Sequence, residues 1–394
     1  MASKRWNEDI AYAMTPLKLV LWPLGVWPLQ VYNLCSLIRC VLTTCLMSIV
    51  VILPSIEFYL GCTDSGQNIY ALILTCCGIL GVTKMICVRI YATNFTKNYK
   101  SALNDYMLIE NDEQRAIMHR HALMGRALLC STISVSYFDS VLYFLIPFLG
   151  NEYNNQTNIT NKDIILEYPI PSRCALKYLN VPDMHKMCCL IELISMLLTC
   201  SSNYGNDTLI LHVALHICGQ IKILKSKFMN FEITGPKIYD RFNGLIKKHG
   251  HLVAMTKILA EAISFILLTQ LFVSSVLLCI MGFQFILALK VNDITMMVKT
   301  VMVLNAILAQ ITIYSFVGDY LKSQMEEIAT YIYQSVWYDL PATLMKNLTF
   351  VIMRSQSPVQ FQAGNFIVIN FMTYMSILKT SVSYLSVLRV MVES

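Results

Sequence analysis

The sequence predicts an all-α membrane protein that crosses the bilayer seven times, and three observations carry that prediction. Hydrophobic residues make up 56% of the 394 positions and charged residues only 14%, against roughly 25% charged in ordinary soluble domains. A soluble fold with a mean hydropathy of +0.56 would lack the polar surface to cover its core. Charge-poor stretches also recur at lengths near the ~20 residues a helix needs to cross the hydrocarbon core. These stretches do not alternate as barrel strands do, so helices are left to satisfy the backbone in lipid. The net charge of +6 is modest and points to no nucleic-acid partner.

The elements follow in order. Residues 10–30 read as an interfacial or re-entrant helix, because Pro16, Trp22-Pro23 and Trp27-Pro28 interrupt an apolar stretch and tryptophan favours the headgroup level. Met1 to Ile10 is polar, unlike a secretory signal. Span one (35–60) holds no charge between Arg39 and Glu57, and span two (67–92) none between Asp64 and Lys84. Span three (124–149) contains one acid, Asp139, and span four (185–215) two, Glu192 and Asp207. Spans five (259–289) and six (299–320) are bounded by Glu261 and Lys290 and by Lys299 and Asp319. Span seven (364–391) runs past Lys379 to Arg389.

Basic residues set the orientation. The N-terminal segment carries Lys4, Arg5 and Lys18; the second connection Lys84, Arg89, Lys97, Lys100, Arg115, Arg120 and Arg126; the fourth connection, 216–258, eight more lysines and arginines in and beside it. All three belong in the cytoplasm by the positive-inside rule. The connection at 150–184 has clustered sequons at Asn155 and Asn158, which suit an outside loop and predict glycosylation there. The N-terminus is then cytoplasmic and the C-terminus extracellular. A G-protein-coupled receptor has the opposite orientation. Asp240-Arg241-Phe242 imitates one of its motifs, but in the middle of a basic loop, and no Asn-Pro pair occurs anywhere.

Residues 94–126, 218–260 and the region 321–362 hold enough mixed apolar and polar sequence to build a helical packing layer below the membrane. Subunit contacts and packing within the chain are both open to it. Cys62, Cys174, Cys188 and Cys189 face outside and are candidates for a disulfide. His212 and His216 stand one helical turn apart, yet no third ligand accompanies them, so no metal or other cofactor is expected. His119, His121, His249 and His251 lie in basic loops and read as solvated. Asp139, Glu192 and Asp207 are functional candidates because ionisable groups are rare in spans. In a secondary transporter they would be coupling sites, but no repeat or paired broken helices support transport. No catalytic motif is present, so the chain is not expected to be an enzyme.

At 100° per residue, Thr373, Ser376, Thr380, Ser383, Val387 and Met391 share one face of span seven. Hydroxyls followed by an apolar ring suit a water-filled pore with a narrow gate; small hydroxyl residues equally suit close helix packing. A pore would require several copies. A second site, an apolar pocket in the outer half, is expected from Tyr70, Ile73 and Cys77 in span two and from Tyr137, Ser140, Val141 and Phe144 in span three. Ile191 and Ile194 in span four, Phe283 in span five and Asn305 in span six would complete it. Such a pocket suits a small volatile or lipid-like ligand held mainly by burial, and stacked aromatics alone are the alternative.

Three stretches carry a family resemblance: YSFVGDYLKSQMEEIATYIYQSVWYDL (Tyr314 to Leu340), FVIMRSQSPVQFQAG (Phe350 to Gly364) and FMTYMSILKTSVSYLSVLRVM (Phe371 to Met391). They resemble the insect odorant receptor family, with the look of a hymenopteran member. The resemblance implies a ligand-gated, non-selective cation channel in the plasma membrane of olfactory sensory neurons. It implies a tetramer in which a ligand-specific subunit joins a shared co-receptor. The family's last helix lines the pore, and the Tyr384-x-x-Val387-Leu388 pattern puts the gate on Val387, with Val390 and Met391 beside it. Relatives that serve as co-receptor or gustatory receptor carry a Gln near the end of this helix. Here Arg389-Val390-Met391 stands there, and the co-receptor's long extra cytoplasmic insertion is missing. The resemblance therefore implies the ligand-specific subunit, with a gustatory receptor channel as the nearest alternative.

Overall fold

The structure is a computed structural model and describes residues 2–61, 65–155, 168–179, 184–234 and 236–393. In chain order its helices are α1 (Ala2–Leu21), α2 (Leu34–Leu60), α3 (Ser65–Ile90), α4 (Ala92–Met107), α5 (Asp112–Asn155) and α6 (Arg173–Tyr178). Then follow α7 (His185–Met229), α8 (Ile238–Val291), α9 (Ile294–Gln334), α10 (Ala342–Ser355) and α11 (Phe371–Glu393). Five of them, α2, α3, α7, α8 and α9, are long and apolar enough to cross a membrane, and α5 and α11 run beside them. α1, α4 and α10 pack around one end of the bundle, here termed the base, and α6 sits at the other, the crown.

The expected spans are shorter than the helices observed. α8 is unbroken for 54 residues, about 80 Å at 1.5 Å per residue, so it crosses the apolar zone and continues through the base. α5, α7 and α9 do the same over 44, 45 and 41 residues. Local chemistry fixes where helices end. Asn33 caps α2, accepting from the Ser36 amide at 3.0 Å, and Gly61 closes it at φ 62°. Asn292 ends α8 in the left-handed region and the next residue, Asp293, caps α9 by accepting from the Met296 amide. The connection expected between residues 289 and 299 is thus a two-residue turn.

The largest apolar cluster fills the base. Leu17 and Leu21 of α1, Phe95 and Tyr99 of α4, Phe228 of α7, Phe242 of α8 and Leu344 of α10 meet there. The N-terminal helix starts earlier than residue 10, and its Ala13, Met14, Leu17 and Leu21 are buried in that core. Two of the histidines expected to be solvated are instead buried: His121 bonds the Tyr320 hydroxyl at 3.0 Å and the Ile117 carbonyl, and His249 is 5% exposed. Long helices extending below the apolar zone pack on one another, which turns loop histidines into core ones. His119, which stacks on Tyr12, and His251, bonded to Ser101, do keep to the surface.

α11 begins at Phe371 and not at 364. Residues Gln362–Ala363 and Ile367–Val368 pair as a short hairpin instead. Three residues, Gly364 to Phe366, connect the strands; the first two have positive φ, 61° and 66°, and the Phe366 amide bonds the Ala363 carbonyl at 3.4 Å. The Gly364 amide bonds the Ser264 carbonyl of α8 at 3.2 Å. At Gly318 a Cβ would lie 2.6 Å from the Ile369 carbonyl, so α9 can approach this hairpin only with glycine there. The Asp319 carboxylate then accepts from the Phe371 amide at 2.8 Å and Asn370 caps the same helix end.

Candidate functional site

α7 organises the interior. From Ser201 to Ile221 every residue except Tyr204 is buried, and many are polar, so each needs a partner. Ser202 donates to the Gly81 carbonyl at 2.8 Å and Asn203 to the Cys77 carbonyl at 3.1 Å, which ties α7 to α3. Asp207 pairs with Lys84 at 2.7 Å, accepts from the Tyr314 hydroxyl at 2.6 Å, and also accepts from Gln310. Lys84 is therefore not a charge of the second connection but an interior cation of α3, 0% exposed. Arg89 likewise turns inward, to the Gly25 carbonyl and the Ser36 hydroxyl.

Toward the base, His212 meets the Tyr99 hydroxyl at 3.3 Å and His216 meets Asp105 at 3.1 Å. This histidine pair ties α7 to α4; no metal-ligating cluster occurs among the described residues. Lys248 also reaches Asp105. Burial pushes the Asp105 carboxyl up, but the bond and charge of His216 together with Lys248 outweigh it and hold the group below the usual aspartate value.

Above the Lys84–Asp207 pair lies a cavity of about 160 Å³ between α3, α5, α7, α8 and α9. That volume matches the roughly 150 Å³ apolar cavity known to hold benzene. Tyr70, Ile73, Cys77 and Ser140, all expected to line a pocket, do line it. Met196, Thr199, Asn203, Gln270, Leu277 and Ile307 line it as well, and sequence reading missed them. A second chamber of about 370 Å³, between α5, α7 and α9, is bordered by Asn305. Ser136, Asp139, Tyr204, Met302, Ala306 and Gln310 border both chambers.

The other expected pocket residues do not line either chamber. Ile191, Ile194 and Val141 are exposed on the outer surface of their helices. Tyr137 turns to α7, where its hydroxyl bonds Ser201 at 2.6 Å. Phe144 and Phe283 are half-buried away from the linings. The cause is common to all six: a helix in lipid is apolar on both faces, so an apolar side chain does not announce which face is inside.

The crown packs against residues that line the first chamber. Tyr70 donates to the Pro169 carbonyl at 3.3 Å, and Ile170 packs on Val50 and Met196. Glu192 accepts from the Ile170 amide and the Ser172 hydroxyl, at 3.2 and 2.7 Å. Glu57 accepts from the Cys174 and Ala175 amides at the N-terminus of α6, where an anion is favoured. Two of the interior acids, Glu192 and Asp207, are thus spoken for by the fold. Cys174 is disulfide-bonded and Cys189 carries a free thiol; Cys62 and the sequon at Asn158 lie outside the described residues, and Asn155 falls on the last turn of α5.

α11 rests on α8 and α9 through Tyr374, Ile377 and Leu378, which join Ile73, Leu277 and Ile307 in one apolar cluster. Those last three also line the first chamber. Ser376, Thr380, Ser383 and Val387 lie on another, exposed side of α11, Val387 at 59%. Thr373, at the helix start, donates instead to the Val368 carbonyl at 2.7 Å. The side chains of Val390 and Met391 lie outside the described residues.

A bundle of long apolar helices with two chambers between them defines a multi-pass membrane protein. The family described as 7tm Odorant receptor matches residues 64–382, and the chain belongs to it. This is a family of seven-helix receptors and not of enzymes. Odorant receptor 13a of Drosophila melanogaster is 28% identical over 203 residues, 47% of this chain and 48% of that relative. Odorant receptor 9a of the same fly is 25% identical over 186 residues, 46% of each chain. The chain thus spans about half the length of these relatives. Odorant receptor Or2 of Anopheles gambiae is 21% identical over 302 residues, 75% of this chain and 77% of that one. In fold, the chain is similar to the insect olfactory receptor OR5 from Machilis hrabei, with a TM-score of 0.76 at 14% identity over 95% of this chain and 97% of that one. The complex of OR5 with eugenol superposes with a TM-score of 0.78, covering 97% and 98% of the two chains.

Proposed function

We propose that this chain is the ligand-specific subunit of a heterotetrameric, odorant-gated, non-selective cation channel, assembled with a shared co-receptor in the plasma membrane of olfactory sensory neurons. The N-terminus and the base are cytoplasmic, and the crown is extracellular. The ligand is a small volatile that occupies the chamber bordered by Tyr70, Ile73, Cys77 and Ser140. Cations pass along the side of α11 that carries Ser376, Thr380 and Ser383, with Val387 as the gate.

One observation carries the reading: Ile73, Leu277 and Ile307 belong both to the chamber wall and to the apolar cluster on which α11 rests. A ligand that spreads this wall shifts the seat of α11. It opens the channel only to the extent that it binds the open arrangement better than the closed one. The exposed hydroxyl side of α11 supports the pore role, since hydroxyls left unpacked on one chain are available to water or to neighbouring copies.

Whole-cell current during a panel of volatiles tests this, with and without the co-receptor and with intracellular GTP replaced by an inhibitory analogue. Fast inward current that needs the co-receptor but not GTP is expected. Current that disappears with the GTP pathway would return the chain to a G-protein mechanism.

A further inference from the structure

Of the three interior acids, only Asp139 has no partner among the described residues. Asp207 is held by Lys84 and Tyr314, and Glu192 by Ile170 and Ser172. Asp139 borders both chambers, at their junction. The hydroxyls nearest along its helix are committed elsewhere: Ser136 donates to the Ile133 carbonyl at 3.0 Å and Ser140 to the Ser136 carbonyl at 2.8 Å. Tyr204, which also borders both chambers, makes no hydrogen bond to it among the described residues.

Two further acceptors on the lining are unpaired. The amide oxygens of Asn203 and Gln270 are buried without a donor, while their nitrogens are used on Cys77, Ser274 and Gln310. Asn305, on the α9 side of the second chamber, likewise makes no hydrogen bond among the described residues. A carboxylate in an apolar enclosure is costly unless something donates to it. The lining supplies shape and unpaired acceptors, and none of its donors, the Tyr204 hydroxyl and the Asn305 amide included, bonds Asp139 among the described residues.

We propose that Asp139 is the specificity-determining residue of this chamber, and that the ligand is a small volatile with a hydrogen-bond-donating head group, an alcohol or amine. Its head group donates to the Asp139 carboxylate while its apolar body lies toward Ile73, Leu277 and Ile307. This rests on the chamber being the ligand site, as proposed above. Acceptor-only volatiles such as ethers, and plain hydrocarbons, fit the volume but leave the carboxylate unpaired.

The test uses the full chain expressed with the co-receptor and probes matched in size: hexan-1-ol, hexylamine, methyl pentyl ether and heptane, with the corresponding phenylethyl set. Alcohols and amines are expected to activate at concentrations about ten-fold or more below those of the ethers and hydrocarbons, the scale of one hydrogen bond to a charged group. Asp139→Leu should erase the difference, and Asp139→Asn, which keeps an acceptor, should retain the alcohols while losing the amines. Equal potency across the wild-type set, or a preference that survives Asp139→Leu, would overturn the proposal and leave the channel reading standing. If no probe evokes current, the channel reading is at fault and thermal unfolding of the purified full chain decides. Donor probes should then raise Tm more than their donor-free partners in wild type and not in Asp139→Leu; equal shifts, or none, would overturn it.

Discussion

Lys84 Nζ lies 2.7 Å from Asp207 Oδ1 where α3 crosses α7, and neither charge reaches solvent. Tyr314 and Gln310 of α9 donate to the same carboxylate, so one acid ties three helices together below the first chamber. Removing one member of such a pair strands the other, which costs about 3–5 kcal/mol. Lys84→Met is therefore expected to lower the Tm of the purified protein sharply and to reduce surface expression. Lys84→Met combined with Asp207→Leu should recover part of the loss, because no charge is left unpaired. A double variant no better than the single one would show that the hydrogen bonds from Tyr314 and Gln310 matter more than the charge pair.

How much of this was legible beforehand differs by link. The helices announced themselves, because lipid demands long runs without charge and Glu261 to Lys290 can be read in no other way. Their ends in the base did not, since a helix leaving lipid for a protein core regains polar residues without stopping. Lys84 shows the same limit. A lysine at the edge of an apolar run is ordinarily a boundary, and its partner Asp207 is 123 residues away in the chain. Tyr70, Ile73 and Cys77 were grouped correctly on one face of α3 because helical spacing fixes which residues share a face. Which face looks inward was not fixed, and Ile191 and Ile194 fell on the outside for that reason.

That contrast yields a paired prediction. Ile73→Trp fills the first chamber, whereas Ile191→Trp places the same ring on the outer surface of α7. With equal surface expression, odorant potency should fall about ten-fold or more for Ile73→Trp, roughly 1.4 kcal/mol, and stay near wild type for Ile191→Trp. Loss of response in both would move the ligand site to the outer face.

Asp105 links α4 to α7 and α8 through His216 and Lys248, and its carboxyl is held below the usual aspartate value. A folded-state value below the unfolded one, about 3.9, contributes stability that is fully present above that pH and is lost as pH falls through the folded value. The Tm of the purified protein should decline on acidification through this window. Asp105→Asn should be less stable at pH 7, with a gap to wild type that narrows as the pH drops. A constant gap would mean that shape, not charge, is what Asp105 supplies.

The two sides of α11 make the sharpest demand on the channel reading, since neighbouring residues of one helix are assigned opposite tasks. Leu385 packs so closely on α8 that a side chain at Gly282 would collide with it, while Val387, two residues on, is 59% exposed. Truncating a packed leucine costs about 2–5 kcal/mol, so Leu385→Ala should reduce folding yield or Tm and leave the selectivity of the surviving channels unchanged. Val387→Ala has little packing to lose. Its expected effect is a leak current without odorant, because a smaller apolar ring dewets less readily. Val387→Glu should alter the relative permeability of sodium and calcium, since the charge would then lie where ions pass. The comparison is made by recording reversal potentials and resting current alongside surface expression for all three variants. If Val387→Ala and Val387→Glu gate and select as wild type does, the exposed side of α11 is a packing surface for another subunit, and the pore must be sought on a different helix.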